Sequence, residues 1–160
     1  MEKTTKLSAD LGALLAQRGH VVTTAESCTG GGVAAAITDI AGSSAWLDRA
    51  FVTYSNEAKI EMLGVQASTL ATHGAVSEPL VVEMVRGALE NSNATLGVSI
   101  SGVAGPGGGS EEKPVGTVCF AFADHKNWLL VETMHFTGDR AEVRGKAVTH
   151  ALSQLYRHLI

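Results

Sequence analysis

The chain has 160 residues, 45% of them hydrophobic and 18% charged, with a formal net charge of −4 at pH 7. That balance suits one compact globule with a real core and excludes a disordered or fibrous chain. With no basic stripe and no aromatic–basic interleaving, a nucleic-acid surface is not expected, and no apolar run approaches the roughly 20 residues of a membrane span.

Residues 4–18 place Leu7, Leu11, Leu14 and Leu15 at helical spacing, with Gly19 as the stop. His20 to Glu26 reads as a buried strand that runs into Ser27-Cys28-Thr29 and three glycines, Gly30, Gly31 and Gly32. An Ala-rich helix follows to about Ile40, with Gly42 beyond it. Ser43 and Ser44 are candidate caps for a short helix over Ala45-Trp46-Leu47-Asp48-Arg49, and Ala50 to Tyr54 reads as a second strand. Glu57 to Leu63 is a short helix stopped by Gly64, and Ser68 to His73 is one more helical turn ended by Gly74. Ser77 caps the next helix, whose first turn holds Glu78 and Pro79 and whose apolar face holds Val81, Val82, Met84, Val85, Ala88 and Leu89.

Leu96 to Ser101 is a strand that enters a second glycine-rich loop, Gly102 to Ser110. Val115–Ala123 and Trp128–Phe136 form a hairpin about Asp124 to Asn127. Asp139 and Glu142 have capping-box spacing at the head of a last helix that packs through Val148, Ala151, Leu152, Leu155 and Leu159. This order predicts a three-layer α/β/α single domain over residues 1–160, with a mixed, mostly parallel β-sheet. Ligands in such sheets bind beyond the carboxyl ends of strands. The Ser27 turn, the Tyr54-Ser55-Asn56 turn and the Gly105–Gly109 loop are all expected at such ends, on one rim. Cys28 and Cys119 make no disulfide framework, and no apolar run behind Met1 to Lys6 suits a signal peptide, so a soluble, cytoplasmic domain is expected.

Three readings of the Ser27 turn are open from its residues. It can hold an anion on free amides at a helix start, serve as a structural turn, or present Ser27, Cys28 or Thr29 as a nucleophile. The six histidines are scattered and form no ligand pair, so no metal site and no cofactor are expected. A serine nucleophile then needs another base, and a lysine serves if burial leaves it neutral. Lys59 follows the second strand by one helical turn, although an exposed lysine on a short helix fits the pattern equally. Arg140 and Arg144 share one face of the last helix, either as phosphate ligands or as a solvated face.

Several long motifs together resemble the CinA carboxy-terminal domain family. They are Thr24-Ala25-Glu26-Ser27-Cys28-Thr29-Gly30-Gly31, Ala41-Gly42-Ser43-Ser44, Val52 to Lys59, Gly74-Ala75-Val76-Ser77-Glu78, Ser99 to Pro106, Lys113 to Val118 and Gly138-Asp139-Arg140. The likeness covers nearly the whole chain and is greatest to the stand-alone nicotinamide mononucleotide deamidases. It implies hydrolysis of the carboxamide of nicotinamide mononucleotide, without a metal, by a small enzyme that works as a homodimer. Ser27 is the implied nucleophile and Lys59 the base, with Tyr54 relaying the proton or holding Lys59. Ser27 is preferred over Cys28 because no histidine is placed to pair with the thiol. The implied substrate-binding set is Glu26, Cys28, Thr29, Gly30 and Gly31 at the first turn, and Gly105, Gly107, Gly108, Gly109, Ser110, Arg140 and Arg144 at the phosphate. A nucleotide- or phosphate-binding module without turnover is the alternative from another class.

Overall fold

In the computed structural model, which describes residues 2–160, the β-branched runs become one five-stranded sheet of order β2-β1-β3-β4-β5. The strands are β1 (Val22–Glu26), β2 (Leu47–Val52), β3 (Leu96–Gly102), β4 (Thr117–Asp124) and β5 (Leu129–His135). β1 is parallel to both its neighbours, whereas β4 is antiparallel to β3 and to β5. The sheet is mixed, and only β4 runs against the other strands.

Alternation along the strands feeds two cores, because successive side chains point to opposite faces. On one face, Val22, Val98, Ile100, Val118, Phe120 and Phe122 meet α1 (Glu2–Arg18), α2 (Gly32–Thr38) and α6 (Arg140–Leu159). On the other, Ala25, Cys119, Ala121 and Ala123 meet α5 (Glu78–Glu90) and Leu63 at the end of α3 (Asn56–Leu63). A short α4 (Ala67–His73) links α3 to α5. Three layers result. Among the described residues, no helix is long and apolar enough to cross a membrane.

Several details differ from the sequence expectation, among them the end of α2 at Thr38 and the span of β2, Leu47–Val52. Only Ser43–Ala45 forms a helical turn, of the 3-10 type; Leu47 to Arg49 belong to β2. The exposed edge of β1 takes them, pairing Val22 with Leu47 and Thr23 with Arg49, so long-range pairing overrides local helical tendency. Ser77 stands at the N-cap of α5, but its hydroxyl donates to Gly74 O and caps nothing. The Asp139–Glu142 capping box of α6 forms as its spacing requires.

One close approach positions the site. A Cβ on Gly87 of α5 would lie 2.0 Å from Leu63 O, so only glycine lets α3 settle against α5 at this depth. Seated there, α3 turns Lys59 inward.

Candidate active site

Ser27 follows the last residue of β1 and remains between the ends of β2 and β3. Its N–H donates to Ile100 O at 3.0 Å, while Thr53 N–H donates to Glu26 O at 2.8 Å. From α3, started by Ser55 Oγ accepting from Ala58 N–H at 3.0 Å, Lys59 reaches back to this point. Its Nζ lies 3.0 Å from Ser27 Oγ, 2.8 Å from Thr53 O and 3.3 Å from Tyr54 O.

Lys59 is only 1% exposed and, among the described residues, has no carboxylate within ion-pairing distance. Burial holds its pKa below the usual 10.5 because the ammonium loses its hydration, with Cys28 acting the other way. All three contacts run from the amine as donor, to the two carbonyls and to the Ser27 hydroxyl oxygen. Once the amine has given up its proton, its lone pair is left to accept from that hydroxyl. The Cys28 thiol is likewise buried, and burial pushes its pKa up to about 11 despite nearby Arg144. At that value the thiol is mostly protonated at neutral pH.

Much of the first turn is occupied by its own scaffold. Glu26 is 0% exposed, and its carboxylate accepts from Thr24 Oγ1, Thr29 Oγ1, Val33 N–H and Ala34 N–H at 2.7–3.0 Å. A residue expected to touch substrate instead caps α2, whose N-cap Gly31 has no side chain to do so. Glu26 takes the Val33 and Ala34 amides at the start of α2, which leaves those two unavailable to an anion. The Thr29 hydroxyl is taken too, and Gly30 N–H donates to Ser27 O at 3.1 Å. Arg144 departs from its expected place at a phosphate: Nε donates to Cys28 O at 2.9 Å and Nη2 to Thr29 O at 3.3 Å. Among the described residues, the amides of Cys28 and Thr29 donate to no protein oxygen.

Beside Ser27 opens a cavity of about 360 Å³. Ser27, Cys28, Tyr54, Lys59, Gly105, Gly107, Gly108 and Arg140 all line it, so the three turns do converge on one rim. Gly109 and Ser110 do not line it, because Ser110 folds back on Lys113, exchanging an N–H to Lys113 O and an acceptance from Lys113 N–H at 3.0 Å each. Arg140 Nη1 donates to Gly105 O at 2.8 Å and Nη2 to Tyr54 Oη at 3.3 Å, which leaves other guanidinium N–H groups unspent. Tyr54 thus holds Lys59 by its carbonyl, while its phenol lies beside Arg140.

Asn56, Val76 and Ser101 also line the cavity and were not singled out in the sequence. Strand register brings Ser101 in. Register pairs Glu26 with Ile100, so Ser27 and Ser101 each follow one residue later on the same face. Asn56, at the head of α3, belongs to the turn already expected on this rim, whereas Val76 carries no such signal and is brought in by the folding of its loop. Among the described residues, no group of three or more His, Cys, Asp or Glu side chains is placed to hold a metal ion.

The model of the CinA C-terminal domain matches residues 4–159. The chain is 59% identical over 155 residues to nicotinamide-nucleotide amidohydrolase PncC of Escherichia coli K12, covering 97% of this chain and 94% of that one. It is 46% identical, with a TM-score of 0.94, to the crystal structure of competence/damage inducible protein CihA from Agrobacterium tumefaciens, covering 96% and 94% of the two chains. A CinA superfamily protein from Klebsiella pneumoniae is 44% identical, with a TM-score of 0.94 over 98% of this chain and 97% of its own.

Proposed function

This chain belongs to the CinA C-terminal domain family, and we propose that it hydrolyses the carboxamide of nicotinamide mononucleotide to nicotinate mononucleotide and ammonia. The observation that carries the reading is the buried, carboxylate-free amine of Lys59, 3.0 Å from Ser27 Oγ at the end of a cavity. Binding alone has no use for a depressed lysine against a serine hydroxyl; nucleophilic catalysis does.

In the proposed reaction, Ser27 Oγ attacks the carboxamide carbon as its proton passes to Lys59 Nζ. The oxyanion meets the backbone amide of the Ser27 turn at Cys28, where such a donor contributes about 3 kcal/mol. Lys59 then protonates the nitrogen, the C–N bond breaks and ammonia leaves an ester on Ser27. Water, deprotonated by Lys59, cleaves that ester and restores the serine hydroxyl. No metal enters these steps. The 5′-phosphate lies at Arg140 with the amides of Gly105, Gly107 and Gly108.

Incubating the purified protein with nicotinamide mononucleotide and measuring ammonia and nicotinate mononucleotide tests the reading. Equimolar release, lost in Ser27→Ala and indifferent to chelators, is expected. Tight binding without ammonia would make the protein a binding module instead.

A further inference from the structure

The proposed substrate has a cationic ring, yet the cavity offers it no anion. Lining residues Ser27, Cys28, Tyr54, Asn56, Lys59, Ser101 and Arg140 carry all of its polar side chains, and no Asp or Glu is among them. Arg140 makes one end positive, and a protonated Lys59 would make the other positive too. A pyridinium held between them needs a counterpart, and without a carboxylate that counterpart is the face of an aromatic ring.

Among the described residues, Tyr54 is the one aromatic side chain lining the cavity, and it is 63% exposed. The residue, from main chain to phenol, also spans the right interval. Its carbonyl oxygen sits 3.3 Å from Lys59 Nζ, at the reacting end, and its hydroxyl sits 3.3 Å from Arg140 Nη2, at the phosphate end. A molecule with its carboxamide at Ser27 and its phosphate at Arg140 must lay its ring and ribose along this residue. The hydrogen bond to Arg140, itself tied to Gly105 O, holds the phenol in place.

Resting on the proposed function, we propose that Tyr54 is a specificity residue whose ring face selects the cationic pyridinium of the substrate over a neutral ring of the same shape. The phenol relays no proton in this role.

The test uses Ser27→Ala protein, in which the ligands stay intact, and titrates it calorimetrically with nicotinamide mononucleotide and with its reduced form. The reduced form keeps the carboxamide, ribose and phosphate but carries a neutral dihydropyridine. The parent is expected to prefer the cationic form. Adding Tyr54→Leu should weaken cation binding roughly five- to thirtyfold while leaving the reduced form's affinity in place. Tyr54→Phe, which keeps the ring, should retain the preference. Any loosening of Arg140 affects both ligands equally and cancels in their ratio. Equal weakening of both ligands by Tyr54→Leu, or loss of the preference in Tyr54→Phe, would overturn the assignment. If the Ser27→Ala parent binds neither nicotinamide mononucleotide nor ribose 5-phosphate, the proposed function itself falls.

Discussion

The two glycine-bearing loops of this molecule look alike in composition and are built for opposite purposes. Around Ser27, nearly every polar group is committed: Glu26 takes four donors, Arg144 takes two carbonyls, and Gly30 closes onto Ser27. Around Gly105, Gly107 and Gly108 the backbone lines open cavity, and among the described residues its one side-chain tether is Arg140. Glycine in the first loop permits a tight turn that a buried carboxylate then fixes. Glycine in the second leaves room for a ligand. A reacting serine gains from rigidity because small displacements of a nucleophile cost rate, whereas a phosphate with several donors tolerates some play.

The largest effect should come from the rigid loop's base. Lys59→Met keeps the side chain's length and removes the amine, and turnover should fall about a thousandfold or more, measured as ammonia release. In wild type, kcat/KM should climb with pH as Lys59 loses its proton, and level off below the ordinary lysine value of 10.5 because burial lowers its pKa. Folding stability has the same sign. A group whose folded pKa is depressed contributes fully above 10.5 and loses that contribution as pH falls toward the folded value. Wild type should therefore gain stability relative to Lys59→Met between neutral pH and 10.5 in denaturant titrations. A flat difference would mean the amine is not desolvated.

Next in size is the scaffold beneath the serine. Glu26→Ala strands two hydroxyls and the amides of Val33 and Ala34, and should cost about 3 kcal/mol by urea unfolding. A loss confined to activity, with stability intact, would return Glu26 to the substrate side.

Glu26 also shows where sequence reasoning stops. The strand–turn–helix about Ser27, the capping box at Asp139 and the convergence of three strand ends follow from local pattern and from rules of α/β sheets, and so were legible. Glu26 and Arg144 sit in the right motifs, but a motif does not say which side of the chain a side chain faces. Here α2 draws one inward and the carbonyls of Cys28 and Thr29 draw the other. Lys59 reads as a surface lysine until α3 is pressed onto Gly87, a contact between residues far apart in the chain. Leu47 to Arg49 became strand for a similar reason, since the edge of β1 decided their state.

The open loop should respond differently to damage. Arg140→Ala removes the tether to Gly105 O and the cation proposed for the phosphate, and should raise KM about ten- to a hundredfold with a smaller change in kcat. A fall in kcat at unchanged KM would move the phosphate elsewhere and make the second loop part of the reacting end.

The smallest effect should fall on the residue chemically nearest to a rival mechanism. Cys28 adjoins Ser27, lines the cavity and carries the intrinsically better nucleophile, yet burial holds its pKa near 11. Near pH 7.5 the thiolate is then a fraction of roughly one in three thousand, against about one in ten for an ordinary cysteine. Iodoacetamide at that pH should label it far more slowly than a free thiol, followed by mass spectrometry. Cys28→Ala should keep most turnover, because what the position supplies to the reaction is its amide, which alanine retains. Rapid alkylation with loss of activity, or an inactive but folded Cys28→Ala, would exchange the roles of the two neighbours and leave the Ser27 hydroxyl as the group that merely holds Lys59.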